Sequence, residues 1–229
     1  MILKNWEALP DFLRTEEVRP YYDILARRKG SLLLKRCFDV VVSAGMLVVL
    51  SPVFLALAAA IKLDSPGPVF YRQVRVTQYG QEFRIFKFRS MVQGADKRGS
   101  LVTVSGDSRI TRVGRFIRKC RLDELCQLID VLRGTMTFVG TRPEVPKYVA
   151  AYTPEMLATL LLPAGITSRA SILYKDEAQL LDAAADVDAV YIHDVLPGKM
   201  RYNLEAIREF SFLSDIKTMF QTVLAVLGK

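Results

Sequence analysis

A chain of 229 residues with a formal net charge of +8 can build one sizeable domain, and the charge calls for an acidic partner: nucleic acid, a phosphorylated substrate or anionic lipid headgroups. Its hydrophobic share of 51% is high for so basic a protein, and that pairing favours a membrane surface over nucleic acid. The lone histidine, His193, excludes a multi-histidine metal site and reads as ordinary surface, while Cys37, Cys120 and Cys126 lack metal-ligand spacing and fit a reduced, cytosol-facing protein.

Residues 1–34 are mixed and charged, and read as a peripheral helical or extended N-terminal segment without chemistry of its own. Lys35-Arg36 then opens an uncharged run, Val40–Ile61, with Ser51-Pro52 at its middle. As a helix the run is about 33 Å long, close to the hydrocarbon thickness of a bilayer. No signal peptide is expected, because a charged segment precedes the run and no Ala-x-Ala-type cleavage site follows it. Pro52 removes a backbone donor and clashes with the preceding turn, so a bend is expected near Leu50–Pro52, where Ser51 could bond a freed carbonyl. A kinked spanning helix is one reading. Basic residues lie on both flanks, however: Arg27, Arg28, Lys29, Lys35 and Arg36 before, Lys62, Arg72, Arg75, Arg84, Lys87 and Arg89 after. Both flanks therefore ask for the cytoplasmic side, which tilts the reading toward a helix that enters, breaks at Ser51-Pro52 and leaves by the same face.

Ser65-Pro66-Gly67-Pro68 ends that segment as a turn cluster. The runs VFYRQVRV and QEFRIFKFRSM, separated by Thr77-Gln78-Tyr79-Gly80, predict a β-hairpin. Its weave of basic and aromatic residues would suit nucleic acid, and equally a phosphate-binding or interfacial surface. Residues 94–108 read as a polar loop.

In RVGRFIRKCRLDELCQLIDVLRG, Leu122, Leu125, Cys126, Ile129 and Leu132 recur at helical spacing, with Gly134 as a stop. Asp123 and Glu124 fall in a first turn, where acids commonly just complement the helix dipole. GTMTFVGTRPEVP reads as a loop carrying Arg142, LLPAGITSRASILYKDE as loop leading into strand, and 176–194 as an acidic, alanine-rich helix. The tail places Phe212, Ile216, Met219, Phe220, Val223, Leu224 and Leu227 on one apolar face, which either packs on the domain or lies along a membrane interface.

The strings KRCFDVVVSAGMLVVLSPVF, SPGPVFYRQVRV, FRIFKFRSM, DSRITRVGRFIRKCRLDELCQLIDVLRGTMTFVGTRPE, in this order, resemble the bacterial sugar transferase family, the monotopic polyprenyl-phosphate phosphoglycosyl transferases, over about residues 35–229. The resemblance implies an α+β, mainly helical fold. A re-entrant membrane helix at about 40–61, interfacial helices and a small β-hairpin would surround a cytoplasmic active site. It implies transfer of a phosphosugar from a UDP-sugar to undecaprenyl phosphate with release of UMP, Mg²⁺ being required, at the cytoplasmic face of the bacterial inner membrane. Membrane and undecaprenyl phosphate are then partners, nucleic acid is not, and a homodimer is left open. Carried over residue by residue, it makes Asp123 the nucleophile, Glu124 a metal ligand, Arg118 and Arg142 phosphate binders, and Ser51-Pro52 the helix break.

Such chemistry suits these residue types. A carboxylate that attacks the sugar-proximal phosphate splits the reaction in two, so one site serves a soluble donor and a lipid acceptor in turn. The nucleophile must be ionised, which a helix start and the nearby Arg118 and Arg121 favour. The chain departs from the family's usual GDMS–VGPRP at Thr135, for an acid, and at Thr141, for a proline; its AGITSRASILYKDE lacks the tryptophan the family carries there. Two other classes compete: a basic membrane-anchored protein without activity, in which the two acids serve only the dipole, and a nucleic-acid binder, which leaves the uncharged run unexplained.

Overall fold

The structure is a computed structural model, and it describes residues 3–95, 107–174, 181 and 186–227. The fold is α+β and mainly helical. The first residues form two single turns, Trp6–Ala8 and Asp11–Leu13, and helix α1 (Arg19–Ala26). They are not peripheral. Leu9, Leu13, Val18, Tyr21 and Leu25 are buried in a cluster with Tyr79, Leu161, Leu204 and Phe210. Turns this short have no periodicity to display, which is why their apolar residues look scattered in the sequence. Gly80, in the left-handed region at φ 74°, leaves room for the Phe12 ring, which a Cβ there would approach to 2.7 Å. Helix α2 (Lys29–Val49) then runs through the boundary at residue 34 without interruption.

Leu50 separates α2 from α3 (Ser51–Asp64), and the two axes meet at 61°. The ring of Pro52 displaces the carbonyl of Val48, and the Ser51 hydroxyl donates to that carbonyl at 2.8 Å. The expected break and its expected satisfier are both present. Among the described residues no single helix is long and apolar enough to cross a membrane, whereas this bent pair together has the length and composition. Both arms dock on one body. α2 buries Leu32, Lys35, Asp39 and Ser43, and α3 buries Leu57 and Ile61, while Val41, Val48, Val49 and Leu55 are each at least 70% exposed.

Strands β1 (Phe70–Val76) and β2 (Glu82–Phe88) form the expected antiparallel hairpin, in register from Phe70–Phe88 to Val76–Glu82. The expected long helix is divided. Helix α4 (Arg112–Lys119), capped by Thr111 Oγ1 accepting from the Gly114 amide, ends at Cys120, and Arg121 turns into the left-handed region at φ 53°. A 3-10 turn, Leu122–Gln127, and helix α5 (Leu128–Arg133) follow, stopped by Gly134 at φ 87°. The apolar spacing alone cannot register a single residue of opposite hand.

Within the segment read as a loop, Met136–Val139 is a strand, β3, parallel to β4 (Ala164–Thr167). All four β3 residues are buried, so no alternation betrays the strand. Gly140 and Gly165 let the two backbones touch; a Cβ on Gly165 would lie 2.2 Å from the Gly140 nitrogen. Helices α6 (Pro146–Val149), α7 (Arg169–Leu173), α8 (Val187–Val190), a π-turn (Tyr191–Val195), α9 (Leu196–Arg208) and α10 (Phe212–Leu227) complete the fold. Of the helix expected at 176–194, residues 176–180 and 182–185 lie outside the described residues, and the described end, from Val187 on, is helical. In α10 the apolar face is divided: Phe212 and Met219 pack inward, Phe220, Val223 and Leu224 are exposed, and the side chain of Leu227 is outside the described set.

Candidate active site

Three elements meet at Asp123 and Glu124. The left-handed Arg121 swings the chain out of α4, so that the 3-10 turn presents both carboxylates toward β2 and the loop after β3. A non-glycine residue in this region costs on the order of 1 kcal/mol, and here the strain sits two residues before the candidate nucleophile. The Asp130 carboxylate fixes α5 to the hairpin by accepting from the Phe86 amide at 2.9 Å, and Cys126, fully buried, wedges beneath the turn.

Glu124 is the hub. Its Oε1 accepts from Arg142 Nη2 at 2.5 Å and from Lys87 Nζ at 3.4 Å, while Oε2 lies 3.4 Å from Arg142 Nη1. Burial pushes its carboxyl up, but Arg142 and Lys87 together outweigh burial and hold it well below the usual carboxylate range. Asp123 stands the other way. Burial, then the Glu124 charge, raise its carboxyl, and Lys87 and Arg118 offset this only in part. Arg118 favours the charged form of Asp123 as expected, but burial and Glu124 outweigh it. Arg121 acts on Glu124, and Lys87 is the larger cationic influence on Asp123.

Arg142 is thus brought to the acidic pair, by direct contact with Glu124. Arg118, half-exposed on α4, acts on Asp123 through space and has no hydrogen bond to it. Ser51 and Pro52 lie at the helix break. Lys87 was not singled out in the sequence. It is one of several basic residues in the hairpin, and only its place on the face that also carries the buried Ile85 marks it as turned inward.

Behind Arg142 the loop is held firmly without the family's proline. Arg75 Nη1 donates to the Pro143 carbonyl at 3.0 Å, and the Val76 amide donates to the Glu144 carbonyl at 2.9 Å. The Glu144 side chain is buried and accepts from the Tyr191 hydroxyl at 2.5 Å. Gly165 donates to the Thr141 carbonyl at 2.9 Å, so residue 141 is fixed by its backbone. At Thr135 the hydroxyl donates to the Asp130 carbonyl at 3.1 Å and closes the end of α5.

Among the described residues no three His, Cys, Asp or Glu side chains converge on a point that could hold a metal ion. A carboxylate beside a phosphate-binding site is the kind of ligand Mg²⁺ takes, since Mg²⁺ typically uses one or two protein carboxylates and completes its shell with substrate phosphates and water. Glu124 would be that ligand once Arg142 and Lys87 release its oxygens.

A family model described as bacterial sugar transferase matches residues 30–229. Over 209 residues the chain is 36% identical to a UDP-N-acetylgalactosamine-undecaprenyl-phosphate N-acetylgalactosaminephosphotransferase of Aeromonas hydrophila, covering 86% of this chain and 46% of the relative. It is 36% identical over 195 residues to a UDP-glucose:undecaprenyl-phosphate glucose-1-phosphate transferase of Escherichia coli, covering 83% and 39% respectively. A protein of the same name from Caulobacter vibrioides is 34% identical over 198 residues, covering 85% and 70%. The chain spans less than half the length of the first two of these relatives. With a family match reaching from the start of α2 to the last residue and enclosing the acidic pair, its cationic clamp and the bent helix, the chain belongs to the bacterial sugar transferase family.

Proposed function

We propose that the chain transfers a phosphosugar from a UDP-sugar to undecaprenyl phosphate, releasing UMP, as the first membrane step in assembling a bacterial glycan such as an exopolysaccharide, an O-antigen or a glycoprotein glycan. The observation that carries this reading is the pairing of Asp123, which among the described residues makes no ion pair, with Glu124, held between Arg142 and Lys87. In the first step an Asp123 carboxylate oxygen attacks the sugar-proximal phosphorus, the bond to the bridging oxygen breaks, and UMP leaves. In the second, an oxygen of undecaprenyl phosphate attacks the phosphorus of the aspartyl-phosphosugar, and the bond to Asp123 breaks. Arg142 and Arg118 orient and neutralise the donor's phosphates. A bound Mg²⁺ would further offset the pyrophosphate charge, held by Glu124.

The docking of both α2 and α3 on the body that carries the acidic pair supports a re-entrant arrangement. A single crossing would set one of these buried contacts apart from the other by the full hydrocarbon thickness. The site then faces cytosolic UDP-sugar from the inner membrane, within reach of a lipid phosphate at headgroup level. The expected test is UMP release from one member of a UDP-sugar panel in nanodiscs containing undecaprenyl phosphate. Donor alone should leave a phosphosugar on the peptide containing RLDEL. No UMP from any donor, with folded protein, would return the chain to a non-enzymatic membrane protein.

A further inference from the structure

Arg142 and Lys87 reach Glu124 from two different elements and converge on one oxygen, Oε1, at 2.5 and 3.4 Å. Asp123 also acts on Lys87, and a third cation, Arg75, paired with Glu144 at 3.9 Å, lies close enough to act on Lys87 as well. Donors converging from separate elements on a single oxygen suit a phosphate at least as well as a carboxylate. The Arg142 side chain is 37% exposed and opens the cluster to solvent, whereas that of Glu124 is 14% exposed. In this arrangement Glu124 is a poor ligand for a cation, because two positive groups stand at its oxygens.

We propose that Glu124 occupies the seat of a donor phosphate: Arg142 and Lys87 form a phosphate clamp that closes on this carboxylate until a pyrophosphate displaces it. The inference rests on the function proposed above and adds two things to it. Lys87 is a binding residue for the donor's phosphates. The divalent cation binds well only together with the nucleotide, since the phosphate must draw the two cations away before Glu124 is free.

Metal-free binding of UDP and of pyrophosphate, measured by calorimetry in EDTA on the full chain in nanodiscs, tests this directly. Glu124→Gln removes the internal competitor and should tighten both ligands about 10-fold relative to wild type, the scale of one charge-assisted contact. If pyrophosphate tightens and UDP does not, the clamp stands and the UDP-sugar reading falls. If neither tightens, the clamp is overturned. Should Glu124→Gln fail to fold, Lys87→Met decides. It should weaken metal-free pyrophosphate binding several-fold while raising the affinity for Mn²⁺ alone, read by electron paramagnetic resonance, and Lys87→Arg should restore both. A merely structural Lys87 would lower both affinities or move neither, and either result would sink the proposal.

Discussion

Burial and the neighbouring Glu124 charge push the Asp123 carboxyl up, while Arg142 and Lys87 hold Glu124 down against the same burial. Linkage gives the two residues opposite signs. A carboxyl raised in the folded state contributes stability below its unfolded value, near 4, and loses it as pH rises through the folded value. A lowered one contributes stability above its unfolded value and loses it as pH falls. In EDTA at neutral pH, Asp123→Asn should therefore melt at or above the wild-type temperature, and Glu124→Gln below it. The Asp123→Asn difference should shrink as pH falls below about 4. Turnover of Asp123→Asn should drop by at least about 1000-fold, because the neighbouring Glu124 carboxylate is held by Arg142 and Lys87 and does not replace it. UMP release and thermal melts on the same preparations decide; near-normal release from Asp123→Asn would remove it as nucleophile. Arg142→Lys keeps the charge but loses the two-pronged contact, so kcat/KM should fall about 10- to 100-fold. A variant with wild-type kcat/KM would make Arg142 a surface charge. At this scale the sequence was informative where residue type and motif agree, as at Asp123, Glu124 and Arg142. It was silent at Lys87, because a basic residue in a strand looks alike whether it faces water or a carboxylate.

Among the elements, the bend at Leu50 was legible because proline chemistry is local: Pro52 frees the Val48 carbonyl and Ser51 takes it. The 3-10 turn at Leu122–Gln127 was not, since its apolar residues keep a helix-like spacing across the left-handed Arg121. Strand β3 escaped because burial on both faces erases alternation. The structure also changes why the bent pair should return to its own side. Lys35 is buried against Asp215 at 2.5 Å and the Val139 carbonyl at 2.7 Å, and Arg36 donates to the Val131 and Leu132 carbonyls. These two charges are spent inside the protein, so the case rests on docking rather than on headgroup attraction. Single cysteines at Gly30, where a side chain meets open space, and at the exposed Pro68 can be introduced after replacing Cys37, Cys120 and Cys126. Both should resist an impermeant thiol reagent in intact cells and react once the inner membrane is opened. Labelling of residue 30 from outside would mean a true crossing. Replacing Ser51 and Pro52 together by alanine should produce that labelling in a fraction of molecules, because an unbroken helix has the length to span.

Seen as a whole molecule, the chain hides polar groups and exposes apolar ones along its membrane-facing candidates, the reverse of a water-soluble design. Helix α10 shows this most sharply. Its Asp215, Thr218 and Thr222 point inward: Asp215 to Lys35, Thr222 Oγ1 to Thr167 Oγ1 at 2.8 Å, with Thr218 buried. Leu213, Phe220, Val223 and Leu224 are between 54% and 77% exposed. Phe212 meets the Phe38 ring of α2 at 5.6 Å, so α10 is fixed to the same bent pair whose own outer surface is apolar. Each such side chain would gain roughly 1.5–3 kcal/mol on full transfer from water to hydrocarbon, which makes a lipid interface the natural place for this surface. Of the two readings of the tail, packing on the domain is what the burial pattern shows, and we propose that its exposed apolar side lies on a membrane. An environment-sensitive fluorophore on a cysteine replacing Val223, in nanodiscs, should be quenched by brominated lipids and shielded from aqueous iodide. The same label replacing Glu82, exposed at the start of β2, should show the opposite pattern. Iodide quenching at both positions would place α10 in water and would require another cover for its apolar side.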